Sequence, residues 1–86
     1  MAEHQQDLVR HAASSRDVVE HVRQVLGSRP VVGTADVAIA CNVSMGLIYA
    51  WIDEGLIKAV NVGTTDRPYY RIHSQSVVTF LESRQS

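Results

Sequence analysis

One cysteine, Cys41, stands in the 86 residues, which excludes an internal disulfide and leaves no second thiolate for a cysteine-based metal cluster. Glycine and proline are sparse, at five and two, and no flexible linker, repeat or low-complexity segment is visible. No apolar run approaches the ~20 residues that span a bilayer, which argues against a membrane role. Charge of one sign is also lacking. Eight Lys and Arg oppose nine Asp and Glu, for a net charge of −1. The overall basic excess usual in a dedicated nucleic-acid binder is therefore missing, and only a local patch could steer the chain to phosphate. There is no glycine-rich phosphate loop and no Ser or Cys in a recognisable nucleophile motif. Asp53 and Glu54 are neighbours on a helix and point to different sides, so they form no carboxylate dyad. His4, His11, His21 and His73 show no ligand spacing such as i, i+4. The expectation is no enzyme, no metal, no cofactor and no small-molecule substrate. The opening residues Met1 to Asp7 are polar and acidic, unlike a signal peptide, so a cytoplasmic protein is expected.

What is present is enough apolar material, 45% of residues, for one modest core. Residues 1–13 are polar with a weak helical pattern and are expected to be frayed or disordered. Ser14 and Asp17 have the spacing of a capping box, and behind them Val18, Val22, Val25 and Leu26 fall on one helical face. Gly27 and Pro30 end that helix, predicted over 15–26, within an additional N-terminal segment 14–30. Val31 to Gly33 reads as a short connector. Thr34 is a plausible N-cap, Asp36 suits the positive end of the helix dipole, and Val37, Ala38 and Cys41 can face inward. Asn42 sits at a sharp turn, where Asn tolerates φ > 0.

Ser44 caps a second helix of roughly 45–54, ended by Gly55, with Ile48, Trp51 and Ile52 as its buried stripe. Trp51 is assigned to the core rather than to base stacking, which needs exposure. Cys41 is read as a small buried apolar residue. Lys58 to Val62 is strand-like, residues 63–68 form a polar turn, and Tyr69 to Ile72 returns as a second strand. Alternation puts Val60 and Val62 on one face, and Tyr70 with Ile72 on one face opposite Tyr69 and Arg71. Ser74 caps a last helix of about 75–83 with Val77, Val78, Phe80 and Leu81 inward.

Two short helices joined by a tight turn, then a hairpin, then a short helix, is a DNA-binding order of elements. Laid out so, residues 34–82 resemble the excisionase and MerR-like family of winged helix-turn-helix domains. The marks are Ala35-Asp36-Val37-Ala38 with Cys41-Asn42-Val43-Ser44, then Ile48-Tyr49-Ala50-Trp51-Ile52 with Glu54-Gly55. Leu56-Ile57-Lys58-Ala59-Val60, Val62-Gly63, Tyr70-Arg71-Ile72, Val77 and Phe80-Leu81 complete the series. The resemblance implies a mainly α fold with a small β-hairpin, a winged helix-turn-helix over 31–86 preceded by an extra helix. It implies the 45–54 helix in the major groove and the 63–68 wing on the neighbouring backbone or minor groove. Family members often carry basic side chains at the positions of Met45, Gly46, Ala50 and Asp53. Here those positions are neutral or acidic.

The candidate DNA-contacting residues divide by role. Ser44 and Tyr49 can donate hydrogen bonds to phosphate, as can the amides at the start of the second helix, which includes Gly46. Met45 and Ala50 can touch thymine methyls but offer no bidentate base contact. Lys58, Arg67 and Arg71 are the phosphate cations, expected along one edge, and Thr64 and Thr65 add hydroxyls at the wing tip. Tyr69 could reach the sugar-phosphate backbone or pack on the sheet, whereas Tyr70 is assigned to the core.

With so few cations, one copy should bind weakly. The reading therefore expects duplex DNA as partner, with adjacent copies or a recombinase or transcription partner adding contacts through effective concentration. Excisionase-like action in phage or mobile-element recombination comes first, and transcription regulation second. A terminase-type packaging subunit and a full MerR-type sensor rank lower, since no long helix is seen after residue 82. A different class also fits. The scaffold could serve as a protein-interaction module through Met45, Leu47, Tyr49 and Ala50, with Ile39 and Val78 also outward on a helical wheel.

Overall fold

Antiparallel pairing of three short strands brings residues 31–33, 59–61 and 70–73 side by side. The computed structural model describes residues 16–85. Their order is α1 (16–26), β1 (Val31–Gly33), α2 (Thr34–Cys41), α3 (Met45–Asp53), β2 (Ala59–Asn61), β3 (Tyr70–His73) and α4 (Ser74–Ser83). Four helices and a three-stranded antiparallel sheet of order β1-β3-β2 thus make a mixed α/β domain among the described residues. The expectations for residues 1–13 and for the cap at Ser14 lie outside the described residues.

The connector expected at 31–33 is a strand. Val32 pairs with Ile72 and Gly33 with Arg71. Three residues are too few to show a period of two, so only the partner strand reveals it. The strand's entrance is held by Ser74, whose N–H donates to the Pro30 carbonyl at 3.0 Å and whose hydroxyl donates to the Arg29 carbonyl at 2.6 Å. This use of Ser74 corrects its expected role. The N-cap of α4 is His73, and Ser74 is the first helical residue. The same one-residue shift applies at α2. Its N-cap is Gly33, and the capping carboxylate is that of Asp36, which accepts from the Gly33 N–H at 2.9 Å. Thr34 is buried inside the first turn. Both shifts have one cause: a strand feeds directly into each helix, so the last strand residue becomes the cap.

The other turns follow the local chemistry. Asn42 adopts φ 57° and ψ 49°, the left-handed conformation expected of it. Ser44 accepts from the Leu47 N–H at 3.2 Å, and Gly55 ends the helix at φ +74°.

Val22, Leu26, Val32, Val37, Ile48, Ile72 and Val77 are fully buried in one cluster to which α1, α2, α3, α4 and the sheet all contribute. Full burial of such an aliphatic side chain is worth roughly 1.5–3 kcal/mol. Trp51 is half-buried, its ring 4.9 Å from that of Phe80, and Cys41 is likewise half-buried against the core. One expected face is rotated. In α1 the buried stripe is Val19, Val22 and Leu26, leaving Val18 and Val25 at 49% and 40% exposure. Valines at 18, 19, 22 and 25 offer two stripes of equal hydrophobicity. The observed rotation lets Arg23 reach Glu82 of α4 at 3.4 Å. In β2 and just beyond it, Val60 and Val62 share the outer face, and Ala59 turns inward. Val78 is buried with Val77 and Phe80, as expected of the α4 stripe and contrary to its expected place in an outward patch, whereas Ile39 is 74% exposed. Among the described residues no single helix is long and apolar enough to cross a membrane.

Candidate nucleic-acid interface

The turn 42–44 sets the geometry. Across it the path of α2 into α3 bends by 113°, and the αL conformation of Asn42 aims its N–H at the carbonyls of Ala38 and Ile39. The bend projects the start of α3 away from the core, with Met45, Gly46, Leu47, Tyr49 and Ala50 exposed and Ile48 as the buried anchor. Tyr49 is steadied from one side by Tyr70, ring centres 6.0 Å apart and tilted by 56°.

The hairpin between β2 and β3 continues past the strands. Val62 N–H donates to the Tyr69 carbonyl at 2.8 Å, and Thr64 N–H to that of Arg67 at 3.0 Å. Asn61 organises the bend. Its Oδ1 accepts from the Gly63 N–H and the Tyr69 N–H, both at 2.9 Å. Gly63 must be glycine for a local reason, because a Cβ there would collide with the Arg67 carbonyl and lie 2.8 Å from the Tyr69 nitrogen. Thr64 Oγ1 accepts from the Arg67 N–H at 3.0 Å, which leaves its own proton available. Arg67 and Thr65 stand exposed at the tip.

At the base of the hairpin, Arg71 lies over Tyr69, its guanidinium carbon 4.4 Å from the ring centre. One guanidinium N–H donates to the Tyr69 hydroxyl at 2.7 Å. The other end of the guanidinium crosses the sheet toward Gly33, where a Cβ would come within 3.3 Å of it. Met45, Tyr49, Tyr69 and Arg71 then line one cleft of about 190 Å³, together with Thr34 and Asp36 from the start of α2. Lys58 belongs to a second cleft, of about 310 Å³, on the outer sheet face with Val31, Val60, Arg71 and His73. Arg71 is thus common to both clefts, while Arg67 lies apart at the tip. Gly46 and Ala50 are exposed on α3 without lining either cleft.

Charge is segregated along the chain. Residues 34–55 hold three carboxylates, Asp36, Asp53 and Glu54, and no Lys or Arg, whereas 56–73 hold Lys58, Arg67 and Arg71 against Asp66. Among the described residues, ion pairs use Arg23 and Arg29, and none involves Lys58, Arg67 or Arg71. Burial pushes the Cys41 thiol above its ordinary pKa. Asn61, Gly63 and Gly33 escaped the reading of candidate residues. The Asn-Val-Gly run before the turn was the available signal for the first two, since an Asn side chain readily bonds the backbone two residues on. No protein-family model, curated protein or solved structure matches the chain.

Proposed function

We propose that this chain is a winged helix-turn-helix protein, similar to excisionases and MerR-like regulators, that binds duplex DNA as an accessory or regulatory factor. The observation that carries the reading is the shared cleft. The exposed start of α3 (Met45, Tyr49) and the hairpin base (Tyr69, Arg71) meet on one side of the molecule. A bend of 113° between α2 and α3 lies within the roughly 90–120° of helix-turn-helix units. In this reading α3 enters the major groove by its N-terminal end, with Met45 and Ala50 against bases and Ser44 and Tyr49 on the backbone. Lys58, Arg67 and Arg71 neutralise phosphates, assisted by Thr64, Thr65 and Tyr69. Adjacent copies or a recombinase or transcription partner raise the affinity, and the protein works in the cytoplasm with its DNA.

The test is selection from a random-sequence duplex library at about 50 mM and again near 150 mM salt, between which phosphate-driven binding falls steeply. A sequence motif enriched at both salts supports the reading. No enrichment at either salt overturns it and favours a second one, for which Ile39 speaks. At 74% exposure it is an apolar side chain open to a protein partner, as are Met45 and Leu47 on α3.

A further inference from the structure

The register of the sheet places every side chain of its outer face. Residues directly opposite one another in a ladder share a face, and successive residues alternate. Val32, Ile72 and Ala59 turn to the core, so their neighbours turn out. Val31 pairs with His73, whose N–H donates to the Lys58 carbonyl, so Val31, His73 and Lys58 form one row across the face. Gly33, Arg71 and Val60 form the next. Tyr69 and Val62, joined by a backbone bond, form a third.

Two chemistries are interleaved there. Val31, Val60 and Val62 are 52%, 65% and 59% exposed. Lys58 and Arg71 stand among them with no ion pair among the described residues, and none of the three rows holds a carboxylate. Val31, Val60, Lys58, Arg71 and His73 line the same recess of about 310 Å³.

That combination is selective. A phosphate backbone would answer the cations and leave the valines wet, because it brings no apolar group to the contact. A second copy laid face to face would set one basic face against another. An anionic bilayer would answer both chemistries, but two cations are fewer than the roughly four to eight that hold a protein at a lipid surface. A protein segment can bring carboxylates and an aliphatic side chain together at the spacing of adjacent residues.

We infer that the outer sheet face docks a segment of a partner protein in which carboxylates flank an aliphatic side chain. The aliphatic side chain enters the recess against Val31 and Val60, and the carboxylates meet Lys58 and Arg71. The inference stands without the DNA reading. Where both hold, carboxylate and phosphate compete for Lys58.

Random-peptide display against the full chain tests this, followed by titration of the enriched peptides into isotope-labelled protein. Enriched sequences should carry Asp or Glu on both sides of Val, Ile or Leu and should move the amide signals of Val31, Val60 and His73. Lys58→Glu and Val60→Asp each put a carboxylate on this face from an exposed position, and each should weaken those peptides about tenfold or more. Wild-type far-UV dichroism shows that the variants fold. The absence of any enriched peptide overturns the inference, as do enriched peptides without carboxylates or ones that bind both variants as they bind wild type. Peptides lost on Ile39→Ser but kept by Lys58→Glu also overturn it, and place the partner on α2 and α3 instead. If no peptide moves the Val31 and Val60 signals, a duplex that does so gives the face to nucleic acid, and anionic vesicles that do so give it to lipid.

Discussion

Arg71 is held by the residue two before it: its guanidinium lies over the Tyr69 ring at 4.4 Å and bonds the Tyr69 hydroxyl at 2.7 Å. The pair fixes a cation that makes no ion pair among the described residues at the junction of both clefts. If the DNA reading holds, Arg71→Ala weakens duplex binding and lowers the slope of log affinity against log salt by about 0.9, the value of one phosphate contact. Tyr69→Phe keeps the stacking and loses only the hydroxyl, so it should weaken binding less. Titrations at several salt concentrations separate the two variants. An unchanged slope for Arg71→Ala removes this residue from the interface.

Asn61 holds the hairpin bend with one oxygen. Asn61→Ala strands the Gly63 and Tyr69 N–H groups, each at a cost of about 1 kcal/mol in an exposed loop. Amide exchange should quicken at Tyr69 and Gly63 while protection at Ile72 and Ile48 is kept. Asn61→Asp retains the acceptor and should restore much of the protection. Equal loss at all four amides would mean that the hairpin opens only with the whole domain.

Ile72 is central in every sense the fold allows. It is fully buried and paired on both sides, with Val32 and Ala59. Ile72→Ala should cost about 2–5 kcal/mol, a large share of the stability of a domain this size. Urea unfolding followed by Trp51 fluorescence reads this as a marked fall in midpoint.

Much of this interior was legible in the sequence, and the reason is periodicity. Ile48, Val37, Val77 and Phe80 repeat at helical spacing and were found. Asn42, Ser44 and Gly55 each have one conformational specialty and were used for it. What escaped was non-local. Strand β1 exists because β3 lies beside it, and the caps at Gly33 and His73 follow from strands that run straight into helices. The rotation of α1 depends on α4, to which Arg23 connects through Glu82. The candidate site shows the same division. Arg71 and Tyr69 were chosen by type, but their stacking and their reach across to Gly33 depend on a register that no single segment encodes.

Gly46 occupies the first turn of α3 with only the Ser44 Oγ, 3.8 Å away, near the place of a Cβ. Gly46→Ala should therefore raise stability by about 0.5 kcal/mol, through helix propensity and a less free unfolded chain. A thermal melt that drops instead would mean the backbone there is not helical in solution.

The half-buried, neutral Cys41 thiol gives a pH dependence. Its pKa is raised in the folded state by burial, so the folded state holds the proton more tightly than the unfolded one. The stabilisation is fully present below the ordinary thiol pKa and is lost as pH rises through the raised one. Urea midpoints should decline across that alkaline window in wild type and decline less in Cys41→Ala.

The carboxylates of residues 34–55 and the cations of 56–73 are separate along the chain but not in space, since Asp36 lines the same cleft as Arg71. A carboxylate so near offsets part of the guanidinium charge, so the field that an anion meets in that cleft is weaker than Arg71 alone would give.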